Sequence, residues 1–325
     1  MITIYHKLAG AMHMTVIGIG DTVPAGVAWI DLYNPTADEE HLIESQLNIE
    51  ILTREEIWKN QVLNRFYQED GAAYMTAAII NKVDSPYPQT SAITFIMTKD
   101  CLVTLRYITP TSFSNFAQRM IRSPQKFGDG ADILEGLLEE IITRVAYNSE
   151  IVVNQLDKLS HDIFNLEAFE ASRKNPSQMM KEVLQKLGNC ADLNSKINES
   201  LHSLNRLLTF FRQLPENSNH VNNGLNTLVT DIKALSLQTA FLSDKVTFQL
   251  DATLGMINVE QNMIVKLFSM VTVFLMPATL ISSIYGMNFE YMPELKWIYG
   301  YPYALTMIVL CALVPYFYFR RKGWL

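Results

Sequence analysis

The chain has 325 residues, 49% hydrophobic and only 18% charged, and its 26 basic against 33 acidic residues give a formal net charge of −7. That balance excludes the basic face expected of a nucleic-acid-binding protein. Three cysteines, Cys101, Cys190 and Cys311, form no Cys-x-x-Cys pair, which leaves reduced, buried thiols as their reading.

The opening Met1-Ile2-Thr3-Ile4-Tyr5-His6 lacks the basic and continuous apolar regions of a secretory signal, so a cytoplasmic amino-terminal domain is expected. Over residues 1–124 the signals are short and mixed. Apolar runs at Val27 to Leu32, Ala72 to Ile80, Ala92 to Met97 and Leu102 to Ile108 predict strands, punctuated by Asn34-Pro35 and Asp84-Ser85-Pro86. Asp38 to Leu47 and Ser112 to Ile121 predict helices, and the expected result is an α/β domain with a mixed sheet.

Over residues 125–263 helical periodicity takes over. One helix is predicted from Asp132 to Phe169 and another from Ser177 to Gln213, the latter closed by Pro215-Glu216-Asn217. After Ser218 no proline occurs until Pro277, and Leu225, Leu228, Ile232, Leu235, Thr239, Leu242 and Val246 recur three and four residues apart. This heptad seam suggests oligomerisation. It runs without a stop signal into the apolar segment that follows, which predicts one helix of about 65 residues, roughly 100 Å at 1.5 Å per residue.

Residues 264–325 hold two segments apolar enough to cross a bilayer. Ile264 to Tyr285 carries a single charge, Lys266, and Tyr301 to Phe319 carries none. Tyr285, Phe289, Tyr291, Trp297, Tyr299 and Tyr301 flank one end of the pair, and Tyr316 to Phe319 with Trp324 the other, as in the aromatic belts of membrane interfaces. Lys245, Lys266, Arg320, Arg321 and Lys322 lie on one side of the pair, whereas the connecting loop has Lys296 against Glu290 and Glu294. Both termini are therefore expected in the cytoplasm, with the loop in the periplasm or outside the cell.

Within the first segment Ser269, Thr272, Met276, Thr279 and Ser283 follow spacings of 3, 4, 3 and 4, with Asn262 and Val265 extending the row. On a helix these share one face. Such a stripe suits either close helix packing in a membrane or, in a ring of identical helices, the wall of a pore. Pro277 is equally open, since the carbonyl of Val273 that it frees could face water or mark a kink.

Gly286-Met287-Asn288 at the outer end of the first segment, followed by Phe289-Glu290-Tyr291-Met292-Pro293-Glu294-Leu295, Gly300-Tyr301-Pro302, a last apolar segment and a basic tail, resembles the CorA magnesium transporters. The resemblance is dense over residues 257–325 and architectural upstream. It implies an α+β membrane protein with a cytoplasmic α/β domain, a long helical stalk and two transmembrane helices, assembled as a homopentameric funnel in the inner membrane. It further implies uptake of Mg²⁺ and possible passage of Co²⁺ and Ni²⁺, with no cofactor beyond the transported ion. Gly286, Met287 and Asn288 would form the external ion-binding mouth, five Asn288 carboxamides and the Gly286 carbonyls facing the ion.

By the same resemblance Asn262, Met276 and Thr279 match pore positions, and Asp251 matches an acidic ring near the cytoplasmic mouth. Glu290 and Glu294 would concentrate cations at the entrance, and Arg320, Arg321 and Lys322 would form a basic collar. In this family cytoplasmic Mg²⁺ bound between subunits holds the channel closed. Glu69, Asp70 and Asp231, with Glu139 and Glu140, are candidates for that role by charge alone. Related ZntB proteins typically carry Gly-Ile-Asn instead, which makes Zn²⁺ the second choice of ion. A non-conducting membrane-anchored coiled-coil scaffold is the alternative from another class.

Enzymatic readings find no support in the chain. Gly18-Ile19-Gly20 lacks the third glycine of a dinucleotide fingerprint, no phosphate-binding loop occurs, and His6, His13, His41, His161, His202 and His220 show no metal-ligand spacing.

Overall fold

The computed structural model describes all residues except 9, 60–65, 84–87, 165–175, 215–222, 289, 291 and 324–325. Two compact units divide the chain, Met1–Leu250 and Asp251–Leu325.

The first unit is built on seven strands: β1 Ile2–Leu8, β2 Ala11–Ile17, β3 Val27–Tyr33, β4 Phe66–Glu69, β5 Ala72–Asn81, β6 Gln89–Met97 and β7 Leu102–Arg106. They form a single sheet in the order β2-β1-β3-β7-β6-β5-β4. Among the described residues only β3 and β7 pair in parallel, so the sheet is mixed, as expected. The four anticipated strands are present, the last ending at Arg106 before Pro110 opens a helix. Strands β1, β2 and β4 were not anticipated. Asp70 and Gly71, with φ of 48° and 79°, supply the left-handed two-residue turn that joins β4 to β5. The predicted break at Asp84-Ser85-Pro86 lies outside the described residues.

Helices cover both faces of the sheet. On one side α1 (Ala37–Leu47) and the short α2 (Arg54–Lys59) cover a core of Ile4, Ile30, Ile43, Ile57, Tyr74 and Val103. Thr36 caps α1 in a reciprocal capping box with Glu39. On the other side α3 (Thr111–Arg122) presents Phe113 and Phe116 to Trp29, ring centroids 6.1 and 5.6 Å away. Helix α4 (Gly130–Phe164) starts hard against β7: a Cβ at Gly130 would meet the backbone of Cys101 and Leu102 at 2.9 Å. Glycine is what allows that approach.

Between β3 and β7 a polar network is buried. Trp29 Nε1 donates to Thr104 Oγ1 at 3.0 Å, and Thr104 Oγ1 donates to Asp31 Oδ1 at 2.9 Å. Arg106 clamps the same carboxylate from Nε and Nη2 at 2.9 and 2.8 Å. Asp31 is 4% exposed, so its charge depends on these partners. Tyr5, stacked on Trp29 at 4.5 Å, has its hydroxyl pKa pushed up to about 12 by burial and then by the charge of Asp31.

Helix α5 (Pro176–Gln213) packs on β5, where Ser203 accepts from the amide of Ala78 at 2.8 Å. Helix α6 runs from Asn223 to Tyr285, 63 residues, close to the predicted length. Helix α5 ends at Gln213, as predicted, whereas the predicted end of the preceding helix at Phe169 and the break at Pro215-Glu216-Asn217 lie outside the described residues.

The heptad seam has a different partner from the one expected. Leu225, Leu228, Ile232, Thr239 and Leu242 are buried inside the single chain. Asn194 of α5 donates to the Thr239 carbonyl and to Ser243, and Gln249 donates to the Leu156 carbonyl of α4. The seam therefore belongs to an intrachain bundle, because helical spacing marks an apolar face without saying what covers it. Leu237, Phe241 and Phe248 remain 75%, 65% and 62% exposed. Cys101 and Cys190 are buried and free, and burial raises both thiol pKa values, that of Cys190 to about 11. Cys311 is only half-buried, contrary to expectation.

Asp31→Ala leaves Arg106 buried without its partner, which costs about 3–5 kcal/mol. The full chain in detergent should melt several degrees lower than wild type. An unchanged melting temperature would show that the clamp contributes nothing.

Candidate functional site

The second unit comprises the last part of α6, a 3₁₀ turn at Pro293–Lys296 and α7 (Gly300–Arg321). Both helices are long and apolar enough to cross a membrane, and their most apolar stretches are 0% and 6% buried within the chain. A core helix of a water-soluble protein buries such a stretch, whereas these leave it for lipid or further copies to cover. Trp297, Tyr299 and Tyr303 cluster beside the start of α7, with centroids 6.1 and 6.0 Å apart. Tyr316 to Phe319 lie near its other end. The belt residues Phe289, Tyr291 and Trp324 lie outside the described residues.

One face of α6 is covered by α7. Lys266, Met270, Phe274, Pro277, Ile281 and Tyr285 are half-buried at helical spacing, and Phe274 meets Phe319 edge-on at 6.0 Å. The polar row is elsewhere: Asn262, Ser269, Thr272, Met276, Thr279 and Ser283 are all exposed. At 100° per residue the two sets point roughly 150° apart. Packing between the two helices of one chain therefore does not account for the hydroxyl stripe. Pro277 falls on the covered side, so it belongs to the hairpin contact.

The hydroxyls of the row are oriented by their own helix. Ser269 donates to the Val265 carbonyl at 2.8 Å, Thr272 to Phe268 at 2.9 Å and Thr279 to Met276 at 2.9 Å. Each hydroxyl proton is thereby used on the backbone, leaving oxygen lone pairs as what the side chain offers outward. Sequence spacing located the stripe but carried no signal of this donor arrangement.

At the carboxyl end of α6 the Gly286 amide closes on the Ser282 carbonyl at 3.0 Å, and Met287 closes a tighter turn on Ile284 at 3.2 Å. The carbonyls that follow have no further helical amides to meet, and the negative end of the helix dipole lies there, both favourable to a cation. A Cβ at Gly286 would stand 3.2 Å from the Ser282 carbonyl oxygen, so the turn is tight against any side chain. Gly286, Met287, Asn288 and Glu290 are exposed. Glu294 lies in the 3₁₀ turn, with its side chain outside the described residues.

The remaining candidates are dispersed. Asp251 is exposed on α6, and Arg320, Arg321 and Lys322 are exposed at the end of α7, Lys322 Nζ lying 5.7 Å from the Tyr318 ring centroid. In the first unit Glu69 and Asp70 sit at the β4–β5 turn, and Asp231 is exposed on α6. Glu139 and Glu140 face Arg119, at 2.9 and 3.9 Å. Among the described residues no three histidine, cysteine or acidic side chains gather within one chain as a metal site.

Residues 24–321 of this chain match the family of CorA-like Mg2+ transporter proteins. The chain is 33% identical over 297 residues to the magnesium transport protein CorA of Haemophilus ducreyi, covering 91% of this chain and 92% of that one. It is 31% identical over 313 residues to the Escherichia coli K12 protein of the same name, covering 96% of each. Among solved structures, the complete CorA magnesium transporter of Methanocaldococcus jannaschii superposes with a TM-score of 0.79 at 18% identity, over 100% of this chain and 99% of that one.

If water reaches the stripe in the membrane, cysteines placed at Thr272 and Thr279, in a chain whose native cysteines are replaced, should react in vesicles with a water-soluble thiol reagent. Cysteines at Leu267 and Val271, exposed on other faces, should not. Equal labelling of all four would remove the distinction between the faces.

Proposed function

The chain belongs to the CorA-like Mg²⁺ transporter family, and from that premise we propose that copies of it surround a common axis and pass Mg²⁺ inward along the polar face of α6. It is a transporter and not an enzyme. The observation that carries the reading is the hydroxyl row of α6, exposed and pointing away from the chain's own second membrane helix.

The assembly is a homopentamer in the inner membrane with both termini cytoplasmic. Support for association comes from the exposed row Leu237, Phe241 and Phe248 and from the unburied apolar stretches of α6 and α7. Asn262, Ser269, Thr272, Met276, Thr279 and Ser283 line the axis, and Asp251 stands at the cytoplasmic mouth. Gly286, Met287 and Asn288 form the outer neck, Glu290 and Glu294 draw cations to it, and Arg320, Arg321 and Lys322 form the basic collar.

The chemistry suits a hydrated divalent ion. Mg²⁺ binds oxygen at about 2.0–2.1 Å in octahedral geometry and gives up its water reluctantly. Coordinated waters can only donate hydrogen bonds outward, and carboxamide oxygens, backbone carbonyls and back-bonded hydroxyls are acceptors. A neutral lining holds the ion without the tight grip of carboxylates, so it can also leave. Entry is driven by the membrane potential, about 4.6 kcal/mol per divalent ion at 100 mV.

Cytoplasmic Mg²⁺ closes the channel by binding between subunits, with Glu69, Asp70 and Asp231 as candidate ligands. Their dispersal within one chain is compatible with a site completed by a neighbour. Closure follows if the ion binds the closed arrangement more tightly than the open one. Co²⁺ and Ni²⁺ use the same path.

In liposomes Asn288→Ala should reduce Mg²⁺ influx by more than about tenfold while the oligomer stays intact. Running the assay with Co²⁺, Ni²⁺ and Zn²⁺ ranks the ions. Undiminished Mg²⁺ flux in the variant would remove Asn288 from the neck, and selective Zn²⁺ flux would replace the assigned cargo.

Millimolar Mg²⁺ should slow proteolysis of the cytoplasmic domain in the full-length protein. Identical digestion with and without the ion would argue against a closing site there.

A further inference from the structure

Away from the membrane unit, the hairpin of β1 and β2 brings together two histidines whose separation along the chain carries no metal-ligand signal. His6 and His13 are direct cross-strand partners, a placement that sets Cβ atoms about 4.5–5.5 Å apart on one face of a sheet. Their rings stack with centroids 5.8 Å apart and planes at 27°. His13 is exposed and His6 half-buried, and β2 is an edge of the sheet, so solvent reaches the pair from the open side.

Two features separate this pair from ordinary surface histidines. The first is that no hydrogen bond or ion pair among the described residues engages either ring, whereas His41 is held by Glu44 at 2.8 Å. His6 Nδ1 is closed to solvent and unpaired, and it stays unpaired in either tautomer. Placing the ring proton there adds no further unsatisfied group and leaves a lone pair on Nε2, the nitrogen that remains open to solvent.

The second is the immediate surroundings. Along the two strands the same-face neighbours are Ile4 and Leu8 beside His6, and Ala11 and Thr15 beside His13. Val27 lies across from His6 on β3. None of these side chains is charged, so none of them repels a cation and none supplies the carboxylate oxygens that Mg²⁺ prefers.

We infer that His6 Nε2 and a ring nitrogen of His13 chelate one divalent transition-metal ion of the class that includes Zn²⁺, Ni²⁺ and Cu²⁺, with water in the remaining positions. Imidazole nitrogen suits these ions. Two nitrogens bound to one ion at about 2.0–2.1 Å stand roughly 3 Å apart, so the rings turn out of their stack until both lone pairs converge. The ring torsion of histidine is broad, and exposed His13 has room for that turn. Mg²⁺ selects oxygen and keeps its water, so the pair can bind a transition ion against an excess of Mg²⁺.

The test is calorimetric titration of the untagged full chain in detergent with Zn²⁺, while Mg²⁺ is held in excess to occupy oxygen-lined sites. Zn²⁺ should bind despite the excess, and His13→Ala and His6→Gln should each weaken that binding by at least about tenfold. Cu²⁺ serves as a second probe that reads ligands directly. Its electron paramagnetic resonance spectrum should show coupling to two imidazole nitrogens in the wild type and to one in His13→Ala. Mg²⁺ influx in liposomes checks that each variant is folded. If His6→Gln does not fold, His13→Ala and the Cu²⁺ spectrum decide. Displacement of Zn²⁺ by Mg²⁺, unaffected Zn²⁺ binding in His13→Ala, or the same Cu²⁺ spectrum in wild type and variant would each overturn the assignment.

Discussion

A membrane leaves no polar group unpaired without cost, and that constraint organises α6. In its amino-terminal part the polar seam residues find partners in the bundle, as Thr239 and Ser243 do with Asn194. In its apolar part Ser269, Thr272 and Thr279 place their protons on backbone carbonyls, which lets hydroxyls stand in an apolar helix without needing another chain to receive them. What remains exposed is acceptor capacity, and this is what the water shell of a small divalent cation requires.

Much of this was legible in the chain before its structure. The loop Gly286-Met287-Asn288 between two apolar segments identified the family, and the spacing of Ser269, Thr272 and Thr279 located the polar face. The identity of a covering surface was not legible. Leu225 to Leu242 read as a seam between copies because their spacing is that of a coiled coil, yet α4 and α5 of the same chain cover them. Lys266, Met270 and Phe274 contact or face the second helix, and nothing in their residue types separates them from lipid-facing neighbours.

In the soluble unit, the strands read successfully were continuous apolar runs buried on both faces, such as Ala72–Asn81. Strand β2 escaped notice because it lies at the sheet edge, with His13, Met14, Thr15 and Val16 exposed, and so lacks the continuous apolar signal. The regulatory candidates were illegible for another reason. Carboxylates are common on surfaces, and Asp70 owes its place to a left-handed turn while Glu139 and Glu140 answer Arg119. A site shared between copies requires knowledge of the neighbour, which one chain's sequence does not contain.

The inward-directed protons of the α6 hydroxyls have a bearing on counter-ions. Where Ser269, Thr272 and Thr279 form the wall, lone pairs face outward and the hydroxyl protons are kept for the backbone, so this stretch of the proposed conduit gives chloride no hydroxyl donor to bind. Each ion admitted then brings two uncompensated positive charges into the cell. Sustained import is therefore electrogenic, and it stalls unless other membrane currents restore the voltage.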